Sequence, residues 1–169
     1  MSEVPKSPAC RARIVSCGAY VPSRVVTNGD LAEQIDTSDE WIVERTGIRE
    51  RRVAAADEHA SDMAAAAAAQ ALESAGLGPE ELALLIVGTI SPDQPLPSCA
   101  VHVQRKLGAR CPAFDLSAAC AGFLYGLDVA SRFVATGTRP ILVVGVELLS
   151  RLLDWEDRET CVLFGDGAG

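Results

Sequence analysis

The sequence predicts an α/β fold organised on a parallel sheet, and three observations carry that prediction. Residues 82–90 (LALLIVGTI) are continuously apolar rather than alternating, as a strand covered on both faces is, and 140–149 (PILVVGVELL) read as another buried strand. Segments of helical length, residues 61–76, 98–107 and 120–137, alternate with these strands and with a shorter one at 112–116 (PAFDL). The links between them are short, so strand, helix, strand, helix, strand reads as a series of right-handed crossovers.

In chain order, residues 1–11 (MSEVPKSPACR) lack an apolar stretch and are expected to form a loose polar tail before one domain, 12–169. Residues 13–21 (RIVSCGAYV) are expected to be the first strand, ended by Pro22. Residues 27–35 (TNGDLAEQI) have helical pattern, and a second short helix follows, capped by Ser38 and closed by Gly47. The alanine tract of 61–76 is the strongest local helix signal, with Ser61 expected as N-cap and Gly76 as stop. Its small side chains permit close approach to a sheet. The helix from Cys120 to about residue 137 is apolar around most of its circumference and is expected to be buried on several sides. Gly122 and Gly126 within it cost helix propensity, which close approach of a neighbouring helix would offset. Residues 161–169 (CVLFGDGAG) start as a strand and run into a glycine-rich turn, so the domain is expected to be incomplete at its C-terminal end.

Composition excludes several classes of function. Fifteen basic against 23 acidic residues give a net charge of −8, the wrong sign for a nucleic-acid partner. The cluster Arg49, Arg51 and Arg52 is expected to be a solvated face. Six cysteines (10, 17, 99, 111, 120, 161) form no Cys-x-x-Cys pair, and with only two histidines beside them metal-ligand spacing is absent. No disulfide framework, no metal and no resident cofactor are expected. The apolar runs are too short to span a bilayer, and the protein is read as soluble and cytoplasmic.

Two local patterns carry chemistry. Strand, tight turn, cysteine, helix is the order around Cys120, and a thiol in the first turn of a helix faces unpaired N–H groups and the positive end of the helix dipole. Both favour thiolate, the nucleophilic form. A cysteine is more often an inert buried hydrophobe, so position alone leaves the role of Cys120 open. Trp41 and Arg45, four apart, share one helix face; spacing alone favours an ordinary amphipathic helix with Trp41 half in the core over a face that holds a base and a phosphate.

Three stretches settle the direction of the argument. TSDEWIVERTGIRERR (37–52), PAFDLSAACAGFLYGL (112–127) and FGDGAG (164–169) closely resemble, in that order, the β-ketoacyl-acyl carrier protein synthase III family. The resemblance runs over nearly the whole chain but only the N-terminal half of that family's length. It implies a thiolase-like fold, the N-terminal half of a five-layer αβαβα architecture with the helix after Cys120 in the middle layer. It implies that Cys120 accepts an acyl group from acyl-CoA, a substrate, and that condensation with malonyl-acyl carrier protein in fatty acid or polyketide biosynthesis follows. Trp41 matches the tryptophan stacked on the adenine of coenzyme A, Arg158 the arginine on its other side, Thr37 a hydrogen-bonding neighbour and Arg45 a basic residue at the entrance. Leu96 and Phe164 fall at the acyl pocket, Leu96 where the family inserts a residue into its dimer partner, which implies a homodimer. The family's catalytic histidine and asparagine have no match: neither His59 nor His102 fits. A complementary C-terminal half, as continuation or separate chain, is therefore expected as a partner. A starter-unit acyltransferase without condensation and a non-catalytic partner subunit are the alternative readings.

Overall fold

The computed structural model describes residues 12–169, so the expected tail lies outside the described residues. A two-stranded antiparallel ribbon comes first: β1 (Arg24–Thr27) pairs with β2 (Glu50–Val53), Arg24 opposite Val53 and Thr27 opposite Glu50. Between them lie α1 (Asn28–Ala32) and α2 (Asp39–Thr46). Thr27 and Asp30 close α1 reciprocally, the hydroxyl accepting from Asp30 N at 3.1 Å and the carboxylate from Thr27 N at 2.7 Å. Ser38 caps α2 through Trp41 N (3.1 Å), and Gly47 ends it at φ 73°, both as expected.

The main sheet has the order β4-β3-β5-β6. Its β3 (Leu84–Gly88), β4 (Ala113–Leu116) and β5 (Ile141–Leu148) are parallel, and β6 (Asp166–Ala168) runs antiparallel to β5. Helices α3 (Ala60–Ala75) and α4 (Cys99–Leu107) cover one face and α5 (Gly122–Ala135) the other. Strand β5 shows the division residue by residue. Leu142, Val144, Val146 and Leu148 join Met63, Leu72 and Val103 in the larger core, while Ile141 and Val143 pack with Ile86 and Ala130 under α5. Among the described residues no helix is long and apolar enough to cross a membrane.

Several expectations are corrected. Residues 13–21 are not a strand: Tyr20 alone bridges, to Ala168, and the rest has no regular secondary structure. The two strands that do form here, β1 and β2, are short and polar and carry little sequence signal. The N-cap of α3 is His59, whose N–H donates to Asp62 at 3.0 Å; Ser61 is buried as the second residue of the helix, held through its N–H (2.8 Å) and hydroxyl (2.5 Å) by Asp93. Strand β6 begins at Asp166, five residues beyond the expected start, and Cys161 and Val162 sit in a separate core with Ile42 and Leu31. Arg51 is no solvated residue. It is 5% exposed and donates to Val26 O (3.2 Å), Asn28 Oδ1 (2.9 Å) and Val162 O (3.1 Å), and burial pulls its pKa down.

Helix α5 departs from expectation in an informative way. Its glycines meet the sheet rather than a helix: a Cβ on Gly126 would lie 2.9 Å from Val143 Cγ1. The inner face is buried, but Leu124 is 65% and Tyr125 58% exposed on the outer one. An apolar helix with one face on the sheet and the other open is what half of a layered αβαβα architecture presents.

Candidate active site

Ligand sites of parallel sheets form beyond the carboxyl ends of the strands, and the Cys120 region lies there. After Leu116 ends β4, Ser117 and Ala118 lead into a 3-10 turn (Ala119–Ala121), and α5 starts at Gly122. Ala119 has φ 45°, the left-handed region that a residue with a Cβ enters only at a cost. That turn presents Cys120 as an exposed free thiol at the head of α5, whose N-terminus has no side-chain cap. The helix expected to open at Cys120 instead opens two residues later, at Gly122, with Cys120 in the 3-10 turn that precedes it.

Three other thiols are of a different kind. Cys99, Cys111 and Cys161 are buried. Burial first, then the charges of Asp93 and Asp115, push Cys99 up to about 12. Burial also raises Cys111 and Cys161. Cys17 is exposed, next to Ser16, whose hydroxyl donates to Ala71 O of α3 at 2.7 Å.

Asp115, inside the PAFDL stretch, has a structural task that the sequence did not announce. Its two carboxylate oxygens accept from Cys99 N and Ala100 N at 2.7 Å each, capping α4 where Ser98 makes no side-chain bond. Glu147 was also missed. Its carboxylate accepts from Ile90 N (3.1 Å), Thr89 Oγ1 (3.4 Å) and Ser91 Oγ, and Ser91 Oγ accepts from Leu148 N at 2.7 Å. The turn after β3 is thereby tied to the end of β5. A single charge in the apolar run PILVVGVELL was the available signal. Asp166 does similar work at the start of β6, accepting from Ala54 N (2.7 Å), Ser150 N (2.8 Å) and Ser150 Oγ (2.6 Å).

A second constellation forms at α2. The Arg45 guanidinium lies 4.5 Å and that of Arg158 4.8 Å from the centre of the Trp41 ring. Arg158, 117 positions after Trp41 in the chain, reaches it only through the fold, and its Nη1 donates to Asp36 O at 2.7 Å. Thr37 Oγ1, next in the chain, is buried with no hydrogen-bond partner among the described residues. The fold therefore brings Thr37, Trp41, Arg45 and Arg158 into one neighbourhood. Two planar cations against an indole form a surface suited to a flat aromatic ring with phosphates attached. Leu96 is 84% exposed on the loop between β3 and α4, and Phe164 lies at the surface ahead of β6.

Comparison with known proteins is consistent along the chain. Residues 114–169 match the family described as 3-Oxoacyl-[acyl-carrier-protein (ACP)] synthase III. The chain is 55% identical over 160 residues to a β-ketoacyl-[acyl-carrier-protein] synthase III of Methylococcus capsulatus, covering 94% of this chain and 50% of that protein. It is 53% identical over 161 residues to the one of Ehrlichia canis, with the same coverage. Among solved structures, 3-oxoacyl-[acyl-carrier-protein] synthase III of Aquifex aeolicus superposes with a TM-score of 0.89 at 53% identity, over 92% of this chain and 51% of that one. The priming β-ketosynthase of the R1128 polyketide pathway gives 0.89 at 43% identity, over 92% and 47%. The chain spans about half the length of the relatives it matches, and its fold is the thiolase-like α/β arrangement of those structures.

Proposed function

Because the chain belongs to the β-ketoacyl-[acyl-carrier-protein] synthase III family, we propose that it carries the acyl-transfer portion of a condensing enzyme's active site. One observation carries this reading: the cysteine of the family motif is the exposed thiol at the strained head of α5, whereas Cys99, Cys111 and Cys161 are buried and pushed towards the neutral form. The Cys120 thiolate attacks the carbonyl carbon of an acyl-CoA. The bond from that carbon to coenzyme A breaks, and coenzyme A leaves as a thiol after taking a proton. Thioester is exchanged for thioester, so an activated thiolate suffices. Backbone N–H groups at the head of α5 are the donors available to the oxyanion on the acyl carbonyl.

Coenzyme A itself is held at a distance from the chemistry in this reading. Its adenine enters between Trp41 and Arg158, replacing one guanidinium–indole contact by a stack on each side, with Thr37 Oγ1 as a hydrogen-bonding group and Arg45 towards the phosphates. Leu96 and Phe164 shape the acyl pocket, Leu96 from the opposite subunit of a homodimer. In the second half-reaction malonyl-acyl carrier protein loses carbon dioxide, the resulting enolate attacks the acyl carbon on Cys120, and the cysteine leaves as the 3-ketoacyl thioester forms. Charge on the malonyl thioester oxygen needs a histidine and an asparagine from a complementary C-terminal half. His59, preceding α3, and His102, on α4 beside Gln94, belong to the helix layer across the sheet from α5. The proposed place of work is the cytoplasm.

Incubation with radiolabelled acetyl-CoA tests the reading. Cys120→Ala is expected to abolish covalent labelling and Cys111→Ala to retain it; equal loss in both would overturn the assignment.

A further inference from the structure

Trp41 and Arg158 meet from distant parts of the chain, as the two jaws of a clamp, and behind them one buried series of hydrogen bonds joins the two. Asn28, the first residue of α1, is 1% exposed. Its Nδ2 donates to Asp39 Oδ1 and to Ile48 O, at 2.8 Å each. Asp39 opens α2 and Ile48 follows the glycine that closes it, so one amide group holds both ends of the helix that carries Trp41. On its other side, Asn28 Oδ1 accepts from Arg51 Nη2 at 2.9 Å, and the same nitrogen donates to Val162 O at 3.1 Å. Val162 belongs to a run of linked turns, in which Cys161 N donates to Asp157 O and Leu163 N to Thr160 O, at 3.0 Å each. Arg158 stands in that run, so what holds Val162 holds the second jaw.

We propose that Asn28 is a positioning residue for this clamp, a strut that fixes the spacing of the Trp41 and Arg158 jaws without touching the ligand. The proposal rests on the reading of the clamp as the site of the coenzyme A adenine. Donor and acceptor chemistry carries it. A guanidinium only donates, so the amide oxygen must face Arg51 and the NH2 group must face Asp39 and Ile48. Both N–H groups are then spent on α2 and the oxygen on Arg51, a set that neither aspartate nor leucine supplies at this size. Burial stiffens the arrangement, since a slip of either jaw would leave one of these groups unpaired away from water. Stacking a ring on both sides needs about 7 Å between indole and guanidinium, twice a contact of roughly 3.5 Å. Arg158 Cζ now lies 4.8 Å from the ring centre. The extra room comes from the Arg158 side chain, which is partly exposed, while the strut keeps the two backbones at a fixed distance. A ring entering jaws already set in place loses less free energy to ordering them.

Isothermal titration calorimetry with coenzyme A measures the effect. Asn28→Leu is expected to raise Kd about 3- to 5-fold and to leave the saturating rate of Cys120 labelling unchanged. Asn28→Asp keeps an acceptor for Arg51 but loses both donations to α2, so it separates spacing from folding and is expected to weaken binding as much. Val103→Ala, in the larger core away from the strut, lowers stability and is expected to leave Kd unchanged. In the Arg158→Ala chain, where one jaw is gone, adding Asn28→Leu is expected to weaken binding by less than about twofold. A Kd for both Asn28 variants equal to that of the unsubstituted chain would overturn the proposal and leave the adenine reading intact. So would the full loss persisting in the Arg158→Ala chain, because Asn28 would then act through folding and not through the clamp. Absence of coenzyme A binding by the unsubstituted chain would overturn the adenine reading and the strut with it.

Discussion

Gly88, which ends β3, and Gly122, which opens α5, touch backbone to backbone: a Cβ on Gly88 would sit 2.8 Å from the carbonyl carbon of Gly122. Cys120 is two residues before that contact, so the position of its turn is set by how closely helix and strand approach. Gly88→Ala forces them apart. Overpacking of this kind costs about 1–3 kcal/mol. The expected outcome is a Tm lower by about 2–4 °C per kcal/mol lost, together with slower acylation of Cys120. Differential scanning calorimetry and labelling rate are the two readouts; unchanged labelling would separate the helix position from the chemistry.

Arg51 ties three segments together with one guanidinium. Replacing it with alanine leaves Val26 O, Asn28 Oδ1 and Val162 O without that donor in a buried setting. A single stranded buried acceptor costs about 1–3 kcal/mol, so the loss here lies at the upper end or beyond. Urea denaturation is expected to show a clearly lower midpoint for Arg51→Ala and a smaller drop for Arg52→Ala. Arg52 is partly exposed, with its carboxylate partner Glu50 at 3.4 Å.

Stability above neutral pH follows from the buried thiols. Cys99 is raised from 9.0 to about 12, so the unfolded chain loses this proton at lower pH than the folded one. Its contribution is fully present below about pH 9 and is lost as pH rises towards 12, with a slope of about 1.4 kcal/mol per pH unit. Cys111 and Cys161 add in the same direction. Denaturation midpoints measured from pH 8 upward should fall, and Cys99→Ala should flatten that fall even though its cavity lowers stability at every pH.

The Trp41–Arg158 pair predicts an effect on binding without an effect on chemistry. A cation stacked on an exposed ring contributes about 0.5–1 kcal/mol. Arg158→Ala is accordingly expected to raise the acyl-CoA concentration for half-maximal labelling about 2- to 5-fold and to leave the saturating rate unchanged. A drop in the saturating rate would place Arg158 closer to the reaction than the geometry does.

The parts of this fold that were legible in the sequence are those fixed by local chemistry or by continuous burial. Ser38 and Gly47 bound α2 because a cap and a left-handed residue act within one turn. Strands β3 and β5 were readable because both faces are covered. Arg51 was not, since a charged residue in ERRV is buried only by acceptors up to 111 positions away. Residues 13–21 read as a strand because of their apolar content and the stop at Pro22, yet among the described residues only Tyr20 finds a backbone partner, Ala168. At the candidate site the motif singled out Cys120 and Trp41 as candidates, but the clasp of Glu147 on residues 89–91 and the capping of α4 by Asp115 came only from three-dimensional placement.

The central claim is that Cys120 is the acyl acceptor, and peptide mapping of the acylated protein tests it most directly. After incubation with acetyl-CoA, proteolysis and mass spectrometry are expected to find one acetyl group, removable by hydroxylamine as a thioester is, on the peptide containing Cys120. Cys17, also exposed, is expected to remain unmodified. An acetyl thioester on Cys17 or on a buried cysteine, with Cys120 free, would contradict the account.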